Sequence, residues 1–245
     1  MKFTKMHGIG NDFVVLDGTE EARPDPDTVV ALCDRNFGIG AAGVLYLTPA
    51  ERGARMEYWN ADGSVAEMCG NGLRCTAWFA HEAGWVGESF EVLTERGWLS
   101  AEIAGDHRVR VALGPVTVGS GVDVEGAPAV AVDVGNPHLV VEVASVDAID
   151  VPGIGARMDE ATTGGVNTGF FERSGSGIRL RVNERGVGET LACGSGAVAA
   201  AAVALDGDGL VGVDLPGGRV DVEIRDGQSW LIGPVARAFE GDWGG

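Results

Sequence analysis

The sequence predicts an α+β fold built from two similar halves, and three observations lead to that prediction. The stretches MCGNGLRC at 68–75 and ACGSGAVA at 192–199 repeat a Cys-Gly-polar-Gly element, with the two cysteines half the chain apart. Many short alternating or β-branched segments lie between Gly, Pro and Asp turns, which is typical of strands. A helical segment follows each cysteine motif. Each half is therefore expected to be mostly strand, with one helix that begins beside its cysteine.

The individual elements follow from local composition. Period-two alternation or β-branched enrichment predicts strands at 13–18, 91–103, 108–113, 128–143, 178–186, 211–227 and 229–234. Helices are predicted at 26–36, where Asp and Pro open the segment, and at 72–84 and 196–207, where Gly closes it. GIGAAG at 38–43 has the spacing of a dinucleotide-binding loop but follows a helix instead of a strand, so it is interpreted as a turn.

A Gly- and Pro-rich run, ALGPVTVGSGVDVEGAP at 112–128, divides the chain near its middle. It predicts an N-terminal half at 1–113 and a C-terminal half at 114–234. Each half is long enough for a hydrophobic core of its own.

Composition excludes several classes of protein. A net charge of −18 with two lysines, Lys2 and Lys5, argues against a nucleic-acid-binding surface. No segment reaches the roughly 18 apolar residues of a membrane span, and the first residues lack the apolar run of a signal peptide. A cytoplasmic protein with its four cysteines as thiols is expected.

The two cysteine motifs are the strongest chemical signal. A cysteine at a helix start faces the positive end of the helix dipole and free backbone N–H groups, which favour the thiolate and could hold a carboxylate. A lone cysteine here would more often be a small buried turn residue. The repetition of the motif favours a joint function for Cys69 and Cys193.

Other cysteine chemistries explain the pattern less well. Zinc is disfavoured because Cys69 and Cys75 are six positions apart and the chain has no C-x-x-C pair. A structural disulfide does not suit a cytoplasmic chain, and a Cys-His hydrolase using His138 leaves the second motif unexplained. Two thiols on opposite sides of one carbon explain both motifs. That arrangement suits racemisation or epimerisation, with His138 or Glu184 assisting proton transfer.

Five ordered motifs strongly resemble the diaminopimelate epimerase family, and the resemblance runs nearly end to end. The motifs are MHGIGNDF, NADGSVAEMCGNGLRC, GNPHLVV, GVNTGF and ERGVGETLACGSGA. The resemblance implies that Cys69 and Cys193 are the acid/base pair and that His138 and Glu184 adjust their protonation. It further implies substrate contacts by a set of side chains and helix-start groups: Asn11, Asn60, Asn136, Asn167, Glu184 and Arg185, together with Gly70, Asn71, Gly194 and Ser195. Taken alone, Asn60 and Asn136 would more often be turn residues, His138 a core or surface histidine and Arg185 a surface ion pair.

The resemblance also implies a fold and an activity. Each half is expected to be a β-barrel-like sheet around a central helix, with the active site in the cleft between the halves and residues 235–245 returning to the first half. The activity implied is epimerisation of L,L-diaminopimelate to meso-diaminopimelate without a cofactor or metal, in lysine and peptidoglycan precursor synthesis. The expected partner is this small-molecule substrate, with no nucleic acid and no membrane, and the expected assembly is a homodimer. Two alternatives remain open: a racemase of another amino acid, also independent of pyridoxal phosphate, on the same fold, and a protein of this fold without two-thiol chemistry.

Overall fold

The computed structural model describes residues 1–105, 107–124 and 127–244. Contacts divide the chain into two compact units, Met1–Val111 with Gly233–Gly245, and Ala112–Ile232. No helix within the described residues has both the length and the apolar composition needed to cross a membrane.

The first unit is a sheet with two helices, and it includes the last strand of the chain. Its elements are β1 (Lys2–Gly8), β2 (Asn11–Asp17), α1 (Pro26–Cys33), β3 (Gly43–Ala50), β4 (Gly53–Asn60), β5 (Val65–Ala66), α2 (Gly70–Glu82), β6 (Ser89–Thr94), β7 (Gly97–Ile103), β8 (Arg108–Pro115), which crosses the unit boundary, and β18 (Ala236–Asp242). The strands are ordered β18-β1-β2-β3-β4-β6-β7-β8, and β5 pairs with β4. The chain ends meet, because the backbones of Met1 and Trp243 exchange two hydrogen bonds of 2.8 Å.

The second unit contains a matching set of elements. They are β9 (Thr117–Val124), β10 (Ala127–Asp133), β11 (Pro137–Glu142), a 3₁₀ turn (Val146–Ala148), α3 (Val151–Ala161), β12 (Asn167–Ser174), β13 (Gly177–Glu184), β14 (Gly188–Thr190), α4 (Gly194–Leu205), β15 (Gly209–Leu215), β16 (Gly218–Arg225) and β17 (Gln228–Pro234). The strands are ordered β9-β10-β11-β12-β13-β15-β16-β17, and β14 pairs with β13.

The two units repeat the same strand pairings in the same order. In the first, β2–β3 and β4–β6 are parallel, with α1 and α2 in the respective connections. In the second, β11–β12 and β13–β15 are parallel, with α3 and α4 in the corresponding places. The remaining pairings are antiparallel in both units. The predicted α+β fold of two pseudo-symmetric halves is therefore confirmed.

The cysteine helices are the central helices of their sheets. α2 packs against β1, β3, β4, β6 and β7, and α4 packs against β9, β10, β11, β12, β13, β15 and β16. Since β1 and β7 are five strand spacings apart, about 24 Å in a flat sheet, one helix can touch both only if the sheet curves around it. Both helices are buried along most of their length, as a central position requires, and α4 is apolar on nearly all sides.

The shorter helices α1 and α3 cover apolar clusters of their own. Val29, Leu32 and Cys33 of α1 pack with β2, β3 and β4 residues. Val151 and Met158 of α3 pack against Ala129, Val141 and Phe170. Each unit thus has two layers of apolar packing, one of them around its cysteine helix.

The structure differs from the predicted elements in identifiable ways. Both cysteine helices begin two residues earlier than predicted, at Gly70 and Gly194, because glycine is tolerated in a first turn that makes few intrahelical bonds. Residues 117–124 of the predicted seam form β9, whereas 125 and 126 lie outside the described residues. β3 was not predicted because its buried run GVLYL does not alternate.

Candidate active site

Cys69 lies at the start of the central helix of the first unit. It is the N-cap residue of α2, with extended backbone angles of φ −137° and ψ 121°, and its side chain is partly exposed. Gly72 in the first turn packs so closely that an added Cβ would stand 3.2 Å from Leu45 Cδ2. The Gly-Asn-Gly sequence therefore lets the helix start, with its positive dipole end, approach β3 closely beside Cys69.

Asn11 is held beside this sulfur. Its Nδ2 donates to Cys69 Sγ at 3.7 Å. The preceding turn places Ile9 at φ 47° and Gly10 at φ 87°. A positive φ is unfavourable for a β-branched residue such as Ile9, so this turn is strained. The strained turn presents Asn11 to the cysteine.

Asn60 belongs to a turn of its own. Its Nδ2 donates to Ser64 Oγ at 3.0 Å, and its backbone N–H donates to the Ser64 carbonyl at 2.9 Å. Asp62 accepts from the backbone and hydroxyl of Ser64. The turn connects β4 to β5, the short strand that precedes Cys69 in the chain, and these bonds fix the Asn60 side chain within it.

Cys193 occupies the equivalent position in the second unit. It is the N-cap residue of α4 and is buried, and its Sγ accepts from Gly196 N–H at 3.3 Å. Ser195 Oγ lies 3.6 Å from the same sulfur. These donors and the helix dipole favour a thiolate at Cys193.

Glu184 is positioned to exchange protons next to Cys193. The carboxylate lies at the end of β13 and accepts from Thr190 Oγ1 at 2.5 Å. Burial raises the pKa of Glu184, although hydrogen bonds with Thr190 and Cys193 act in the opposite direction. A carboxyl group with a raised pKa that contacts a thiol is suited to hold or release a proton there.

His138 is a buried, neutral imidazole. It is 2% exposed, and burial lowers its pKa to about 4. Nε2 lies 3.2 Å from Asn136 Oδ1, whereas the buried Nδ1 has no partner within the described part of the chain. Asn136 and His138 line a cavity of about 480 Å³. Nδ1 is therefore a buried nitrogen without a hydrogen bond from the described residues, in a side chain that borders this cavity.

Asn167 joins His138 to Arg185. The parallel pairing of β11 and β12 sets His138 opposite Asn167. Asn167 Nδ2 donates to the Pro137 carbonyl at 3.0 Å, and its Oδ1 accepts from Arg185 N–H at 3.1 Å. The Arg185 side chain is exposed, and its Nη1 donates to the Gly164 carbonyl at 3.1 Å.

The structure thus gathers the sequence-predicted residues into local groups. Asn11, Gly70 and Asn71 surround Cys69, and Gly194, Ser195 and Glu184 surround Cys193. Asn136, His138, Asn167 and Arg185 form a third group in the second unit, and Asn60 stays with its turn.

Three further residues support these groups and were not predicted. Arg74 donates to Asn71, Thr190 donates to Glu184, and Asp159 accepts from backbone N–H groups on both sides of the Asn167 and Arg185 pair. The sequence signal for Arg74 and Thr190 is their spacing of three and six residues from a predicted site residue. No local pattern marks Asp159.

Comparisons with known proteins place the chain among relatives of similar length. The sequence model of the family described as diaminopimelate epimerase matches residues 3–119 and 130–237. A diaminopimelate epimerase from Xanthomonas axonopodis pv. citri is 41% identical, with 99% of this chain and 96% of that protein aligned. One from Synechocystis is 37% identical, with 98% of each chain aligned.

Solved structures share the fold at much lower sequence identity. A phenazine biosynthesis protein of the PhzF family from Bacillus anthracis superposes with a TM-score of 0.75 at 15% identity over 98% of both chains. The superposition supports a common fold, but at this low identity it gives no support for common chemistry.

Proposed function

The chain belongs to the diaminopimelate epimerase family, and from this premise we propose that Cys69 and Cys193 are the acid/base pair with which it interconverts L,L- and meso-diaminopimelate. The observation that carries the assignment is the equivalence of the two cysteines. Each is the N-cap residue of the central helix of its unit, after the short strand β5 or β14. Family relatives that align over nearly the whole chain bear the name of this activity.

The proposed reaction moves one proton at each face of the α-carbon. One thiolate takes the α-proton, so that the Cα–H bond breaks and an S–H bond forms. The other cysteine then delivers its thiol proton to the opposite face of the carbanion, and the two sulfurs finish with exchanged protonation states. Backbone N–H groups at Gly70, Asn71, Gly194 and Ser195 are suited to hold the substrate carboxylate and the charge that develops on it.

Glu184 and His138 are proposed to adjust protonation instead of attacking the substrate. The buried Glu184 carboxyl contacts Cys193, so it can relay a proton to or from that sulfur. His138, with its pKa lowered to about 4, is neutral at pH 7 and provides an uncharged Nδ1. General acid–base groups of this kind contribute about 10²–10⁴-fold to rate.

The remaining predicted residues are proposed to bind the substrate. Arg185, with Asn60 and Asn167, is assigned to the distal amino-acid end, and Asn11 and Asn136 to the reacting end. An arginine and several amides complement a ligand with two carboxylates and two ammonium groups. A racemase of a simple amino acid would not need the distal set, and relatives named for diaminopimelate do not favour that alternative.

Exchange in D₂O tests the function directly. The purified protein, without added pyridoxal phosphate, is incubated with L,L- or meso-diaminopimelate, and loss of the α-proton is followed by NMR. Cys69→Ala and Cys193→Ala should each lower epimerisation by on the order of 10²–10⁴-fold. Cys33→Ala is the control, because burial raises the pKa of Cys33 to about 11 and its thiol packs within the α1 cluster.

The outcomes separate the candidate functions. Comparable turnover of a simple amino acid would favour the racemase. Full activity after loss of either Cys69 or Cys193 would refute the two-thiol mechanism. A strict requirement for pyridoxal phosphate would refute both functions.

We also propose the domain division, assembly and location that the sequence predicts. The domains are 1–113 with 235–245, and 114–234, the assembly is a homodimer and the location is the cytoplasm. Light scattering of the purified protein measures the assembly, and a monomeric mass would contradict it.

A further inference from the structure

Arg74 is a charged side chain enclosed in the centre of the first unit. It lies in the second turn of α2 and is 0% exposed. Removing a guanidinium from water destabilises a protein unless other groups compensate, so fully buried arginines are usually paired with carboxylates. Within the described residues, the ionisable groups that act on Arg74 are Cys75, Cys69 and Arg108, and no carboxylate is among them. The burial of Arg74 therefore requires another explanation.

The hydrogen bonds of Arg74 lead to the residues that follow Cys69. Nη2 donates to Asn71 Oδ1 at 2.9 Å, and Nη1 lies 3.5 Å from the Gly70 carbonyl. Nε has no partner in the described part of the chain. The guanidinium thus braces the first turn of α2 from inside.

The end of β1 is shaped to admit this guanidinium. A Cβ added to Gly8 would stand 2.7 Å from Arg74 Nη2, which is too close for an unshifted side chain. Gly8 therefore leaves the space that Arg74 occupies. The site is formed jointly by β1 and α2.

The two thiols near Arg74 differ in burial. Burial raises the pKa of Cys75 to about 12, so that thiol is protonated at pH 7. Cys69 is partly exposed at the helix start, where Asn11 contacts its sulfur. A positive charge held in a medium of low dielectric constant acts more strongly on a nearby anion than it would in water.

We propose that Arg74 is a positioning residue that stabilises the Cys69 thiolate from inside the protein and fixes the Asn71 amide with its oxygen turned inward. The inference rests on the proposed role of Cys69 as an acid/base. Because Arg74 binds the amide oxygen of Asn71, the Nδ2 group of Asn71 is directed away from Arg74 as a donor. One side chain that does not touch the substrate then stabilises the charge on Cys69 and sets the orientation of the Asn71 amide.

Alkylation of the intact protein tests the charge effect without substrate. Iodoacetamide is neutral and reacts with thiolates, so the rate for each cysteine, read by peptide mass spectrometry over roughly pH 6 to pH 10, follows its ionisation. Arg74→Gln should slow alkylation of Cys69 at neutral pH by about tenfold and move its pH curve upward. Arg74→Lys, which keeps the charge, should recover most of the rate.

Two controls test whether the effect of Arg74→Gln is confined to Cys69 and specific to Arg74. Cys193 lies in the other unit, and its alkylation in the same samples should not slow. Arg55→Gln removes an arginine of the same unit that pairs with Glu57 at the surface, and it should leave Cys69 unchanged. An unchanged Cys69 curve in Arg74→Gln, even with lower turnover, would overturn the proposal and leave Arg74 a packing role. Equal slowing of Cys69 and Cys193 would also overturn it.

A second variant covers the case in which Arg74→Gln does not fold. Gly8→Ala keeps the arginine but displaces Nη2, and it should slow alkylation of Cys69 in the same direction. No change at Cys69 in Gly8→Ala would contradict the proposal. Because neither assay contains diaminopimelate, failure here is distinct from failure of the epimerase assignment.

Discussion

At the scale of single residues, His138 shows how burial sets a chemical state. The imidazole is enclosed where β11 begins, and its pKa is lowered to about 4 because the charged form loses its hydration there. Asp133 acts in the opposite direction and Arg185 in the same one. The site therefore contains a neutral histidine across the ordinary range of pH.

This state predicts a specific dependence of stability on pH. Between about pH 6.5 and about pH 4 the unfolded chain binds a proton at His138 and the folded chain does not, so stability falls as pH decreases through that window. His138→Asn should remove this component, and its thermal unfolding midpoint should fall less than that of the wild type between pH 7 and pH 5. Parallel midpoint curves for the two proteins would contradict the prediction.

Residue positions that depend on local pattern could be predicted from the sequence. Cys69 and Cys193 were identified because glycines and a helical run follow each of them, and the structure places both at helix starts. Arg74 was not, since an arginine in a helix is normally a surface residue and only the packing of α2 inside a sheet buries it. Local sequence does not carry that information.

At the scale of elements, the end of α3 organises the proposed binding groups of the second unit. Asp159 Oδ1 accepts from Val166 N–H at 2.9 Å, and its Oδ2 accepts from Gly186 N–H at 2.8 Å. These are the neighbours of Asn167 and Arg185. One carboxylate thus ties the start of β12 to the end of β13.

Asp159→Ala should weaken substrate binding more than turnover. Without the carboxylate, two backbone donors lose their acceptor and the loops carrying Asn167 and Arg185 loosen, so we expect KM for diaminopimelate to rise by about tenfold, a loss typical of one or two hydrogen bonds. Steady-state kinetics and the thermal midpoint are measured together. Glu160→Ala, an exposed neighbour, is the control. A fall in kcat with KM unchanged would show that Asp159 acts elsewhere.

The sequence predicted elements where periodicity was clear and missed them where tertiary packing decides. The helices after the cysteines were found to within two residues, and α1 ends at Cys33 within the predicted 26–36. α3 was missed because VPGIGARMDEA contains two glycines and a proline, which lower its intrinsic helix propensity. Its burial against β12 and β13 compensates.

At the scale of the whole molecule, the repeated topology explains why the first unit needs the end of the chain. β9 precedes β10 in the second unit, and β18 takes the corresponding place beside β1 in the first. Phe3 and Phe239 pack edge to face at 5.9 Å between these strands. Arg237 of β18 also pairs with Glu82 at the end of α2 at 2.7 Å.

Removing residues 235–245 should destabilise one unit and spare the other. β1 would lose the hydrogen bonds and packing that β18 provides and become an unpaired edge. Hydrogen exchange followed by mass spectrometry should show loss of protection in β1 while α4 peptides remain protected, and activity should be lost. Protection of β1 equal to that in the full chain would contradict this dependence.

The meeting of Met1 with Trp243 also has a consequence for synthesis on the ribosome. The second unit is one continuous stretch, so all of its residues have been translated before β18 begins. The first unit is begun earlier but lacks one edge strand until β18 has also been translated and has left the ribosome. The part of the protein that is synthesised first is therefore the part that is completed last.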